Sequence, residues 1–115
     1  MSNFNNTLLQ VTHNGMGHGD EKLGLILISN YFKLINEESI PPKFIAFYNS
    51  GVQLVCEGSP VVEIAKILEQ RGVKMIVCTT CLKFFNLENK LEVGIAASMM
   101  DIISLQKITE HVINI

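Results

Sequence analysis

Short apolar runs alternate with helix-like segments along this chain, and this alternation constrains the fold more than any other feature. The runs cover residues 7–12, 44–48 and 73–77, and the second of them is continuously apolar and rich in aromatic residues. Such continuous runs are typical of parallel strands that are covered on both faces. Strands separated by helices also require crossover connections. The pattern therefore predicts an α/β fold, a three-layer α/β/α sandwich with a mostly parallel sheet of about five strands.

The first helix is predicted between the glycine-rich loop and Glu38. Either Gly19 or Asp20 can cap its start, since both residue types are favoured at that position. Apolar residues then recur at spacings of three and four, as on the half-buried face of a helix. The predicted stripe consists of Leu23, Ile26, Leu27, Tyr31 and Leu34.

A short helix is predicted over residues 50–57, with Cys56 packed in the interior. The next helix is expected to have Ser59 as its N-cap and Gly72 as a left-handed C-cap. Its buried stripe is predicted to consist of Ile64, Ile67 and Leu68.

The last third of the chain continues the alternation. Residues 79–85 are predicted to form a helical turn or two, and residues 91–95 are a candidate strand. Ser98 and Asp101 have the spacing of a capping box, which predicts the start of a further helix. Residues 111–115 alternate in polarity and are predicted to form the last strand.

Composition excludes several classes of protein. The 115 residues are 48% apolar and carry a net charge of −2, so the chain is expected to fold as a single domain over residues 1–115. The cations are scattered, which argues against nucleic-acid binding, and no apolar run is long enough to span a membrane. The N-terminal residues 1–6 do not resemble a secretory signal, so we expect a cytoplasmic protein whose cysteines are free thiols.

A functional site is predicted where the strands end. Parallel topology places the ends of the first three runs at one edge of the sheet, and ligands of such sheets bind at that edge. The segments that would meet there are the glycine loop 14–19, the turn 49–51 and the Cys78/Cys81 pair. The predicted pocket residues are His13, Met16, Gly17, Gly19, Asn49, Ser50 and Gly51.

Cys78 and Cys81 form a C-x-x-C pair at a strand-to-helix junction. A thiolate is the reactive form of cysteine, and the start of a helix favours it, so Cys78 is the expected nucleophile and Cys81 the supporting or resolving thiol. Cys56 is expected to be structural. The same pair could also be two small buried apolar side chains, because free cysteine is commonly interior.

These segments could form three other kinds of site. Thioredoxin-type exchange is disfavoured because the chain has no Trp and all three prolines precede the cysteines. A metal site would join Cys78 and Cys81 to His13 or His18, but no second spaced ligand pair is present. Nucleotide binding is disfavoured because the glycines lack the G-x-G-x-x-G spacing. No cofactor is therefore expected, and the two histidines of the loop remain candidates for acid–base roles.

Several of these motifs together resemble a known family. Met16-Gly17-x-Gly19-Asp20-Glu21, Tyr48-Asn49-Ser50-Gly51-Val52, Glu57-Gly58-Ser59 and Cys78-x-x-Cys81-Leu82 are similar to the DsrE-like domain of YedF-type, sulfurtransferase-like selenium metabolism proteins. The resemblance covers nearly the whole chain.

This resemblance to the wider DsrE/DsrF/TusD superfamily implies a sulfur carrier, or a sulfurtransferase-like protein, that holds sulfane sulfur as a persulfide on Cys78. It also implies a homo-oligomer, either a trimer or a hexamer. YedF-type proteins usually contain a TusA-like domain with a Cys-Pro motif, which this sequence lacks. A TusA-like carrier acting in trans is therefore the expected partner. The alternative function is a non-catalytic oligomeric module of the same fold that binds a small molecule or a protein.

Overall fold

The computed structural model describes residues 2–115, so Met1 of the N-terminal segment considered above lies outside the described residues. Within this range a single five-stranded sheet has the order β4-β3-β2-β1-β5. Every neighbouring pair of strands is parallel. The strands are β1 (Thr7–Val11), β2 (Phe44–Phe47), β3 (Lys74–Cys78), β4 (Ile95–Ala97) and β5 (His111–Asn114). The predicted parallel α/β fold is confirmed.

Helices connect each strand to the next. They are α1 (Glu21–Glu37), a 3₁₀ helix (Asn49–Val55), α2 (Val62–Gln70), α3 (Thr79–Phe84) and α4 (Met99–Ile108). The first four strands follow one another across the sheet, so right-handed crossovers place α1, α2 and α3 on one face. The return from β4 to β5 runs in the opposite direction and places α4 on the other face.

The core lies mainly between the three central strands, β1, β2 and β3, and the helices α1 and α2. Every residue of β1 and β2 is buried. Val11, Phe47 and Val77 are aligned across the three central strands. The ring of Phe32 on α1 meets the ring of Phe47 edge to face, with centroids 6.3 Å apart. This contact fixes α1 against the middle of the sheet.

On the opposite face of the sheet, a cluster of amide side chains connects β1 to α4 and β5. Gln10 is buried in β1, and its side-chain oxygen accepts a hydrogen bond from Gln106 of α4 at 2.7 Å. Its amide donates to the side chain of Asn114 on β5. A buried amide must be paired to avoid a desolvation cost, so these bonds hold α4 and β5 against β1.

The predicted stripe of α1 is wrong. The residues of α1 that are buried are Gly24, Ile28, Phe32 and Ile35, whereas only Tyr31 of the predicted stripe is partly buried. Most sides of this helix carry apolar residues, so the spacing alone allowed more than one stripe. The packing of Phe32 on Phe47 decided which side faces the sheet.

Two predicted boundaries are also wrong. Ser59 Oγ accepts from the N–H of Val61 at 3.1 Å, which stabilises the turn before α2 rather than its first turn, and α2 begins at Val62. Residues 91–95 are a candidate strand by sequence, but β4 begins only at Ile95. Gly94, with a φ of 86°, turns the chain immediately before it.

Several local predictions are confirmed. Asp20 caps α1 by accepting from the N–H of Leu23 at 2.9 Å. Gly72 adopts the left-handed conformation after α2, and Ser98 and Asp101 form the capping box of α4. None of the helices within residues 2–115 has the length and apolar character required to cross a membrane.

Candidate functional site at the carboxyl edge of the sheet

Two hydrogen bonds join the three segments that follow β1, β2 and β3. The N–H of Asn14, in the glycine loop, donates to Ser50 Oγ at 3.1 Å. The N–H of Asn49, in the turn after β2, donates to Cys81 Sγ at 3.1 Å. The turn after β2 therefore lies between the glycine loop and the C-x-x-C pair and contacts both.

The shape of this turn depends on Asn49 and Gly51. Asn49 has a φ of 53°, which asparagine tolerates better than most residues, and its side chain accepts from the N–H of Ser50 at 2.8 Å. Gly51 packs directly on β1, where an added Cβ would lie 2.3 Å from the carbonyl oxygen of Val11. Only glycine fits there, because that distance is far below van der Waals contact.

The two cysteines of the pair differ in their surroundings. Cys78 ends β3 and is only 2% exposed, whereas Cys81 lies on α3 and is partly exposed. Both are free thiols. The hydroxyl of Thr79 donates to the carbonyl of Ala97 at 3.0 Å and so holds the first turn of α3 on β4. The fold thus keeps Cys78 inside and presents Cys81 at the surface.

Cys81 lines an apolar cavity of about 370 Å³, and Cys78 does not. The rings of Phe84 and Phe85 meet edge to face with centroids 5.1 Å apart, and Phe84 is 79% exposed at the rim. The lining residues are Tyr48, Asn49, Thr80, Cys81, Phe84, Phe85 and Met99. Among the described residues, those that line this cavity include no Lys, Arg, His, Asp or Glu.

Local electrostatics raise the pKa of Cys81. Burial makes the largest contribution and the neighbouring Cys78 thiol raises the pKa further, while the N–H of Asn49 lowers it by favouring the thiolate. Burial also raises the pKa of Cys56, and the charge of Glu92 adds to the effect. Cys56 is buried, and its thiol donates to the carbonyl of Val52 at 3.2 Å.

The glycine loop forms a second cavity of about 380 Å³. The 49–51 turn lies between this loop cavity and the Cys81 cavity. His13 and His18 lie in contact there, with ring centroids 3.9 Å apart. Gly17 and Gly19 also line it, and both have positive φ angles, of 75° and 128°. Ser50 is the member of the 49–51 turn that reaches this cavity.

Two of the predicted pocket residues, Met16 and Gly51, pack against neighbouring segments and line neither cavity. The N–H of Met16 donates to the carbonyl of Gly24 at 3.0 Å, and its side chain packs against the core. Gly51 is buried against β1. Neither residue lines the loop cavity or the Cys81 cavity.

Sequence reasoning missed two parts of this edge. A third cavity, of about 440 Å³, lies beside Cys56 and shares Asn14, Leu25 and Gln53 with the loop cavity. The aromatic wall beside Cys81 was also missed. A signal for it exists in the sequence, because Phe84 and Phe85 follow Cys81 by three and four residues, a spacing that places side chains on one face of a helix.

The histidines and the cysteines that could have formed a metal site do not line the same cavity. His13 and His18 line the loop cavity, whereas Cys81 lines the apolar one. Across residues 2–115, no group of three or more His, Cys, Asp or Glu side chains is arranged to hold a metal ion.

Comparison with known proteins identifies the fold. The model of the DsrE/DsrF-like family matches residues 8–115. The protein of unknown function MTH1491 from Methanobacterium thermoautotrophicum is similar in structure, with a TM-score of 0.68 and 20% identity over 95% of this chain and 97% of that one. The ychN protein from E. coli has a TM-score of 0.63 and 15% identity over 95% and 99% of the two chains. No curated protein matches the chain.

Proposed function

Because the chain belongs to the DsrE/DsrF-like family, we propose that it is a sulfur carrier, which accepts sulfane sulfur as a cysteine persulfide on the Cys78/Cys81 pair and passes it to a partner. The observation that carries this proposal is the position of the pair. Cys78 ends strand β3 and Cys81 lies on the helix that follows it. Both are free thiols, and Cys81 lines a cavity at the edge where parallel sheets bind ligands.

The surroundings of the pair suit sulfur exchange. A thiolate attacks sulfane sulfur, and the resulting persulfide also bears negative charge on sulfur when it is deprotonated. The N–H of Asn49, 3.1 Å from Cys81 Sγ, stabilises such charge. Cys78 is three residues away and close enough to raise the pKa of Cys81, so a second thiol is available beside the first.

The proposed carrier acts as a homo-oligomer, a trimer or hexamer, and exchanges sulfur with a TusA-like protein in trans. The support for association is the apolar surface. Large apolar side chains are exposed on α1, α4, β4 and β5, among them Ile26, Leu34, Ile95, Met100 and Ile108. Exposed side chains of this kind can be buried against further copies of the chain.

Intact-mass spectrometry after incubation with a sulfane-sulfur donor tests the carrier function. The wild type is expected to gain the mass of one or more sulfur atoms, and a reductant is expected to remove them. The Cys78→Ser/Cys81→Ser double variant is expected to gain none, whereas Cys56→Ser is the matched control and is expected to load like the wild type. An unchanged wild-type mass would refute the carrier function.

A non-catalytic binding module is the second candidate, and one observation favours it. The loop cavity and the cavity beside Cys56 share three lining residues, so together they form an extended depression that neither Cys78 nor Cys81 lines. Native mass spectrometry distinguishes the two functions. A tightly bound small molecule on a protein that takes up no sulfur would support the module.

A further inference from the structure

Access to the C-x-x-C pair is one-sided. Cys78 is 2% exposed and lies outside the lining of the apolar cavity, whereas Cys81 contributes to that lining. Thr79, bonded to Ala97, holds the intervening turn on β4, so the chain between the thiols is fixed to the sheet. A donor molecule approaching the pair from this cavity therefore meets Cys81 before Cys78.

The walls of the cavity select the chemistry of that donor. Tyr48, Phe84, Phe85 and Met99 supply aromatic and thioether surface, which favours an apolar group. None of the described residues lining the cavity is a Lys, Arg or His that could pair with a small inorganic anion. Desolvating an anion such as thiosulfate without a cationic partner is costly.

We propose that Cys81, rather than Cys78, receives sulfur from the donor, and that the donor is an organic persulfide with an apolar group. This inference rests on the proposed carrier function. The Cys81 thiolate attacks the terminal sulfur of R–S–SH, forming the Cys81–sulfur bond as the S–S bond of the donor breaks. The electron pair of that bond leaves on the donor sulfur, which takes up a proton to give R–SH. The exchange involves no net oxidation or reduction.

The order of the thiols is tested with single variants and benzyl hydropersulfide as the donor. Cys78→Ser is expected to gain sulfur in the first turnover at a rate similar to the wild type, and Cys81→Ser is expected to lose rapid loading. Cys56→Ser is the matched control, because Cys56 is buried and does not line the Cys81 cavity. The assignment is overturned if Cys81→Ser loads at the wild-type rate or if Cys78→Ser does not load. If the wild type itself takes up no sulfur, the carrier function and this inference both fail.

Donor selectivity is tested by placing a cation at the rim of the cavity. Phe84→Lys removes an exposed ring and adds a positive charge, so the ratio of loading rates with benzyl hydropersulfide and with thiosulfate is expected to fall about tenfold. Leu34→Lys is the matched control, since Leu34 is 62% exposed on α1 and lies outside this cavity. Its ratio is expected to equal that of the wild type.

Comparing this ratio in each variant with the ratio in the wild type cancels the intrinsic reactivity of the two donors and any general effect on the reactivity of Cys81. An unchanged ratio in Phe84→Lys would overturn the proposed apolar donor. An equal fall in Phe84→Lys and Leu34→Lys would overturn it as well, because the effect would then arise from net charge rather than from the cavity. Thermal unfolding of each variant checks that the fold is retained.

Discussion

The backbone N–H of Asn49 donates a hydrogen bond to Cys81 Sγ at 3.1 Å, across 32 positions of sequence. Asn49 can do this because its φ of 53° turns the chain immediately after β2. Two residues later, Gly51 packs against the carbonyl of Val11, which fixes the same turn to β1. The environment of the thiol thus depends on the packing of a glycine on a different strand.

Gly51→Ala is predicted to destabilise the protein by about 1–3 kcal/mol, the usual cost of forcing extra volume into a packed site. The added Cβ would lie 2.3 Å from the carbonyl oxygen of Val11, so the turn must move. Chemical denaturation measures the loss of free energy of unfolding. Because the same turn contains Asn49, whose N–H bonds Cys81 Sγ, the rate of Cys81 alkylation is also expected to change.

Gly24→Ala is the control for that substitution. A Cβ at Gly24 would meet no atom closer than 3.5 Å, and alanine is the better helix former by about 1 kcal/mol. This variant is expected to be as stable as the wild type or more stable. Equal destabilisation by the two substitutions would show that the close approach at Gly51 is not the cause.

Limiting iodoacetamide is predicted to modify the three cysteines in a fixed order. Cys81 is partly exposed and is expected to react first, followed by the buried Cys78. Cys56 is expected to react slowly until the protein unfolds, because it is buried and burial raises its pKa. Peptide mapping after short exposures measures the order, and early labelling of Cys56 in the folded protein would contradict it.

Cys78→Ala is predicted to speed the alkylation of Cys81 near neutral pH. Burial, followed by the Cys78 thiol, raises the pKa of Cys81, so removing Cys78 lowers that pKa and increases the thiolate fraction below it. The pH midpoint of the alkylation rate is therefore expected to shift downwards. Cys56→Ala is the control, because the Cys56 thiol does not contribute to the raised pKa of Cys81. This variant is expected to leave the pH midpoint unchanged. An unchanged midpoint or an upward shift in Cys78→Ala would show that the Cys78 thiol does not raise the pKa of Cys81.

The protein is predicted to sediment as a homo-oligomer. Phe84, Ile95 and Met100 are each more than 70% exposed, and burying such side chains against further copies releases free energy in proportion to the apolar area. Sedimentation equilibrium at micromolar concentrations is expected to give a mass that is a multiple of 12.8 kDa. A mass of 12.8 kDa across the whole concentration range would contradict association.

The sequence by itself determined the order and type of most elements. Continuous apolar runs such as residues 44–48 marked buried parallel strands, because both faces of such a strand are covered. Local capping patterns placed the ends of helices, as at Asp20 for α1 and at Ser98 with Asp101 for α4. These signals lie within a few residues of one another, so they can be interpreted without knowledge of the fold. Parallel topology also placed the C-x-x-C pair at the carboxyl edge.

Tertiary structure alone decided which side of each element faces the core and which thiol reaches the surface. The spacing in α1 allowed more than one apolar stripe, and the contact of Phe32 with Phe47 selected one. The Cys81 cavity combines α3 with Tyr48, immediately after β2, and Met99 from α4. Burial and access depend on such contacts between segments distant in sequence, and no local pattern of residues encodes them.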